Sequence, residues 1–125
     1  MWFKALADDT GGSFSLMERH LPPGGRMPPP HRHEGNLEAY FVLGGTVEFR
    51  IAEEEFDASA GDFVLVPAGE RHTFGNRSSA EARLLVLHTP ALDGYFEELE
   101  ALWSRPEAPT SAQETELMRR HGMEM

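Results

Sequence analysis

At 125 residues the chain has the length of one domain, and its 40% hydrophobic and 26% charged residues are those of an ordinary globular protein. Eleven Lys and Arg against 21 Asp and Glu leave a formal net charge of −10, which excludes the basic footprint that nucleic acid or an anionic membrane demands. Cysteine is absent, so disulfides and thiolate ligands are excluded; no run approaches the roughly 18 apolar residues of a membrane span, and MWFKALADDTGG lacks a secretory pattern, making the cytoplasm the expected compartment.

Residues 13 to 89 are short apolar runs punctuated by Gly, Pro, Asn and Asp, which predicts an all-β sandwich or barrel. The expected strands are SFSLMERH (13–20), LEAYFVLG (37–44), TVEFRI (46–51), DFVLVP (62–67), RHTFGN (71–76) and ARLLVLHT (82–89). In TVEFRI, Val47, Phe49 and Ile51 alternate with Glu48 and Arg50, so one face is buried and the other wetted. GGT at 44–46 and SAGD at 59–62 supply turn chemistry.

After Pro90 the period changes. Leu92, Tyr95, Phe96, Leu99, Leu102 and Trp103 follow helical spacing, with Glu97, Glu98 and Glu100 on the solvated side. RPEAPTS ends that helix, and Ser111 with Glu114 reads as a capping box opening a second one that stops near Gly122. The expected organisation is a β-barrel domain over 1–90 and a tail of two short helices over 91–125, laid on the outside of the barrel.

HRHEGNLEAY, directly after three prolines at 28–30, raises the question of function. In an extended strand His31 and His33 share a face with Arg32 opposite, so two imidazoles can converge on one metal ion. Glu38 is an odd number of residues further on, but Gly35 and Asn36 break the strand and reset the parity, letting Glu38 face inward with Tyr40 and Val42. The prolines hold the approach extended without supplying ladder donors.

Two spaced motifs then coincide. Gly25, His31, His33, Glu38 and Gly45 form a glycine, five residues, HxH, a glutamate after a short gap, six residues and a glycine. Gly61, Pro67, Gly69, His72 and Asn76 form a glycine, five residues, PxG, two residues, a histidine, three residues and an asparagine. Together they resemble both motifs of the cupin family at every position. The resemblance implies a cupin β-barrel (a double-stranded β-helix or jelly roll) holding one divalent transition metal per subunit through His31, His33, Glu38 and His72. Three imidazoles and one carboxylate suit Fe, Ni, Mn, Co, Cu or Zn and leave one or two positions open. His20 and His88 end strands, where either could cap or line the barrel mouth, and His121 falls in the last turn of the second helix. Met17, Met27 and Met118 are expected in the core or at frayed ends, and Asn76 in a turn.

Within that family the wording through HTPALDGYFEEL is similar to small single-domain proteins of the quercetin dioxygenase type. This implies a metal-dependent dioxygenase acting on a small aromatic or enolic substrate, flavonol- or polyketide-like. Glu38 would serve as ligand and as the base that takes the hydroxyl proton. Tyr40, Val42, Phe49 and Phe74 are the expected lining of an apolar substrate pocket. Two other classes stand beside it: a redox-neutral isomerase, cyclase, decarboxylase or hydrolase, and a non-enzymatic ligand-binding module. The family resemblance also implies a homodimer formed through an N-terminal strand or sheet edge, because MWF has no evident place in a barrel of its own chain.

Overall fold

The computed structural model describes residues 1–25 and 27–125. Its chain order is β1 (Trp2–Ala5), α1 (Ala7–Thr10), β2 (Ser15–Leu21), β3 (Arg32–His33), β4 (Leu37–Gly44), β5 (Thr46–Ile51), β6 (Glu54–Ser59), β7 (Phe63–Val66), β8 (His72–Gly75), β9 (Ala82–Thr89), α2 (Asp93–Trp103), α3 (Ser111–Arg120) and β10 (Met123–Glu124). Five strands form one antiparallel sheet in the order β1-β2-β9-β4-β7, and three form a second in the order β6-β5-β8. The expected all-β jelly roll with two helices near its C-terminal end is the observed architecture.

Alternation decides which side chains fill the space between the sheets. On β4, Glu38, Tyr40 and Val42 are buried while Phe41 is exposed; on β9, Ala82, Leu84, Val86 and His88 point inward. Val47 and Phe49 of β5 and Phe74 of β8 meet them from the second sheet. Tyr40, Phe49 and Phe74 form an aromatic triangle, with ring centroids 5.1 Å, 5.1 Å and 6.0 Å apart. Gly45, which closes the first motif, has φ +74, and a Cβ there would stand 2.5 Å from the Glu81 carbonyl oxygen. No other residue permits the β4–β5 turn to pass this close to the start of β9.

Three features depart from the sequence expectations. The N-terminal MWF does find a partner in its own chain: β1 pairs with β2, Trp2 opposite Glu18 and Phe3 opposite Met17. EEFDAS forms β6, a strand the apolar pattern does not announce. Five of its six residues are exposed, and its place is set by the ladder to β5. The cap of α3 lies one residue earlier than expected: Thr110 Oγ1 accepts the Gln113 N–H, and the Gln113 side chain accepts the Thr110 N–H. The apolar faces of α2 and α3 pack against the β domain, with Glu97 and Glu98 left exposed. Tyr95, Phe96, Leu99, Leu117 and Met118 join the same apolar core as Tyr40 and Val86.

Candidate metal centre

The two motifs meet by backbone pairing. His31 and His72 exchange both backbone hydrogen bonds (3.1 and 2.8 Å), and the Gly69 N–H donates to the His33 carbonyl at 2.7 Å. The HxH segment is held from its other side by β10, which pairs Met123 with His33 and Glu124 with Arg32. Arg32 seals that pairing with an ion pair to Glu124 at 2.6 Å, so the outward residue of HxH locks the segment while the two histidines face in. Glu38 arrives from β4, directly opposite Val66 on one side and His88 on the other.

The result is a buried cluster. His31, His33, Glu38 and His72 each offer one ligand atom, and these four atoms lie within 4.8 Å of one another. Ring centroids are 5.1 Å apart for His31 and His33, 4.5 Å for His31 and His72, and 5.4 Å for His33 and His72. The structure therefore brings together all four residues that the motif spacing singles out.

The chemistry of the donors fits a cation. His31 Nδ1 lies 2.9 Å from the Pro29 carbonyl oxygen and His72 Nδ1 lies 2.9 Å from that of Glu70. A carbonyl only accepts, so both Nδ1 atoms carry hydrogen, and in the neutral ring each Nε2 is left as a bare lone pair. His72 Nε2 is nevertheless 3.1 Å from Glu38 Oε1. A lone pair facing a carboxylate is tolerated only with a proton or a metal ion between them. His33 Nε2 also touches Glu38 Oε1, yet both of its ring nitrogens lack a hydrogen-bond partner of proper geometry among the described residues. Buried, unpaired donor atoms converging on one carboxylate oxygen are what a divalent transition metal would satisfy.

Electrostatics point the same way. Burial pulls the His31 imidazole down to about 4, helped by its neighbour His72, so it is neutral near pH 7. Burial by itself would raise the Glu38 carboxyl, but His33, His72 and His88 around it outweigh that effect and hold it well below the ordinary range. His72 is pulled down by burial and pushed up more strongly by its bond to Glu38, ending raised. The other carboxylate oxygen, Oε2, accepts the Tyr40 hydroxyl. Tyr40 keeps its proton because burial and the adjacent Glu38 both raise it. Glu38 thus has one oxygen tied back by a donor and one presented to the imidazoles.

Of the residues expected to line a pocket, Tyr40 and Phe74 border a small cavity of about 20 Å³ beside the cluster, together with His31 and Glu38. Val42 and Phe49, expected with them, are fully packed in the core and border neither this cavity nor the larger one next to it. The reason is depth. Val42 sits two residues further along β4 and Phe49 lies behind Tyr40 and Phe74. The larger cleft, about 330 Å³, shares Arg19, Phe74 and Tyr95 with the small cavity.

Two residues escape the motif reading. His88 is buried with its Nε2 3.4 Å from Glu38 Oε1, next to the cluster rather than at an open mouth. Arg19 is on the inward face of β2 with Met17. The signal for both was period-two alternation within their strands. His20 and His121 keep to ordinary roles, paired with Glu18 and Glu98. Asn76 ties a turn, donating to the Leu21 and Ala80 carbonyls and accepting from Ser78.

Residues 17–88 match the family model described as Cupin domain. An oxalate-binding protein of Thermotoga maritima is 31% identical over 67 residues, 54% of this chain and 54% of that protein, so the match spans about half of the curated relative. A sugar phosphate isomerase from Silicibacter pomeroyi is 30% identical, with a TM-score of 0.60 over 70% of this chain and 57% of that one. A predicted oxalate decarboxylase from Thermotoga maritima is 25% identical, with a TM-score of 0.62 over 70% and 76%.

Proposed function

This chain belongs to the cupin family, and on that footing we propose that each subunit holds one divalent transition metal through His31, His33, Glu38 and His72 and uses it on a small-molecule substrate. The observation that carries the reading is the set of three imidazoles and one carboxylate whose ligand atoms lie within 4.8 Å of one another in a buried site. When bound, iron, nickel, manganese, cobalt, copper or zinc would supply Lewis acidity there, and the redox-active ones a route to dioxygen.

The finer proposal is a dioxygenase acting on a small aromatic or enolic substrate. Glu38 is the base: its carboxylate is ionised, and Tyr40 holds Oε2 while Oε1 faces the cluster. A substrate hydroxyl brought against it loses its proton to the carboxylate. Tyr40 and Phe74 provide apolar ring faces next to that point. The test is oxygen consumption by protein reconstituted with each redox-active metal, over a panel of flavonols and other enols. Uptake dependent on metal and on enol supports the dioxygenase, whereas none with any metal moves the assignment to redox-neutral chemistry. That second reading, or ligand binding without turnover, is favoured by relatives named for sugar phosphate isomerisation and for oxalate binding.

We also propose a homodimer. The outer face of the five-stranded sheet exposes Phe41 (40%), Phe63 (63%) and Leu65 (48%), with Phe41 directly opposite Phe63. A contiguous apolar patch on an outer sheet face is what a second copy would cover. Light scattering giving twice the 14.0 kDa chain mass supports this proposal, and a monomer at micromolar concentration overturns it.

A further inference from the structure

Arg19 is the one arginine on the inward face of β2. It stands opposite Leu84 on β9 and follows Met17 on the same side of the strand. Its guanidinium lies 5.4 Å from the centre of the Phe74 ring. Among the described residues it has no ion pair and no side-chain hydrogen bond. The carboxylates that influence it, Glu114 and Glu38, are engaged elsewhere: Glu114 accepts the Trp103 indole N–H at 2.7 Å, and Glu38 faces the histidines. Burial lowers its proton affinity, yet a guanidinium remains charged under all ordinary conditions.

Arg19 is half-buried, and a guanidinium without a counter-charge in a largely apolar cleft is suited to pairing with an anion. Its position says which anion. Arg19 borders both the 20 Å³ cavity beside His31 and Glu38 and the 330 Å³ cleft that shares Phe74 and Tyr95 with it. The cleft is otherwise largely apolar, walled by Phe74, Tyr95, Leu99, Trp103 and Met118. Its acidic members are occupied, Glu114 by Trp103 and Glu100 by the Met1 amino group at 3.4 Å. The site thus offers a planar two-pronged donor at the junction, aromatic and aliphatic walls on one side, and the metal cluster on the other.

We propose that Arg19 is the substrate-anchoring residue of this site, and that the substrate is a small organic carboxylate on an apolar body, its carboxylate forked by the guanidinium. This rests on the metal-dependent reading above and names the substrate class for it. A bidentate arginine–carboxylate pair fixes the orientation of a planar ligand, so it would present the far end of the molecule towards Glu38. The inward charge on β2 then has a purpose in a strand position that packing alone would fill with an apolar residue.

The experiment is calorimetric titration of the full chain with benzoate, malonate and the neutral analogue benzamide, with and without bound zinc or cobalt. Variants Arg19→Met and Arg19→Lys are compared after their metal content and melting temperature are measured. The parent binds at least one of the two carboxylates, and benzoate at least about tenfold more tightly than benzamide. Arg19→Met loses about tenfold or more of the carboxylate affinity while keeping its metal content and a melting temperature close to that of the parent. Arg19→Lys keeps part of the affinity as a point charge. Equal binding of benzoate and benzamide, no binding of either carboxylate, or unchanged affinity in Arg19→Met overturns the proposal. Absence of metal in every sample, with the carboxylate preference intact, would instead overturn the metal reading alone.

Discussion

Glu38 and His88 stand directly opposite each other across the β4–β9 ladder, and His88 Nε2 lies 3.4 Å from Glu38 Oε1. The same oxygen faces His33 and His72, so His88 contributes a third imidazole to one carboxylate atom. The Phe96 ring of α2 covers it at 4.9 Å between centroids, which fixes the imidazole from behind. His88 is therefore set to orient Glu38 rather than to hold the metal itself. The variant His88→Ala is expected to bind zinc about tenfold more weakly than the parent while still reaching full occupancy at high zinc. Complete loss of binding would make His88 a ligand, and unchanged affinity would remove its orienting role.

Tyr40 acts on the other oxygen of Glu38. Replacing it by Phe leaves buried Oε2 without its donor, a loss of about 1–3 kcal/mol in the metal-free protein. Glu38 also becomes free to turn, so metal affinity falls in the same variant. Denaturant unfolding of metal-free Tyr40→Phe checks the first part. A midpoint equal to that of the parent contradicts it.

Glu38→Gln separates holding from proton transfer. The amide keeps the side-chain shape and one ligand oxygen but loses the charge and the basicity. Part of the metal should remain while turnover of any identified substrate falls by about a hundredfold or more. A variant fully metallated and as active as the parent would remove Glu38 as the base.

Proton competition for the metal should begin at His72. His31 is held down at about 4 by burial, whereas His72 is raised, because its bond to Glu38 outweighs burial. Its raised value means that the metal-free site takes up a proton already above the ordinary 6.5 of an imidazole. Zinc must displace that proton, so the apparent Kd rises by about one decade per pH unit below neutrality. Chelation should accordingly lower the melting temperature at pH 7 and matter little in acid. An apparent Kd that does not change with pH from 7.5 to 5 would refute this order of events.

The His31, His33, Glu38 and His72 cluster was legible in the sequence because the two motifs name its members by spacing, and they meet where His31 bridges His72 and β4 turns Glu38 inward. What escaped was structure whose signal is not in side-chain alternation. EEFDAS has little to bury, and only its backbone ladder to β5, with Phe56 stacked on Phe49, makes it a strand. TSAQE contains two overlapping capping boxes. The buried Glu114 is drawn to the Trp103 indole, which leaves Gln113 to serve the cap at Thr110. The helical period after Pro90 revealed an apolar face but not which surface it covers, so Phe96 over His88 was beyond its reach. Val42 and Phe49 do face inward, but alternation gives the face of a residue and not its depth.

The central claim is that His31, His33, Glu38 and His72 together hold one metal ion, and the most direct test is elemental analysis of protein purified without chelators or a metal-binding tag. Each subunit of the parent should carry one transition metal ion, and His31→Ala and His72→Ala should lose most of it while remaining folded by circular dichroism. Metal below about a tenth of an equivalent in the parent, even after reconstitution with iron, nickel, manganese and zinc, would contradict the account.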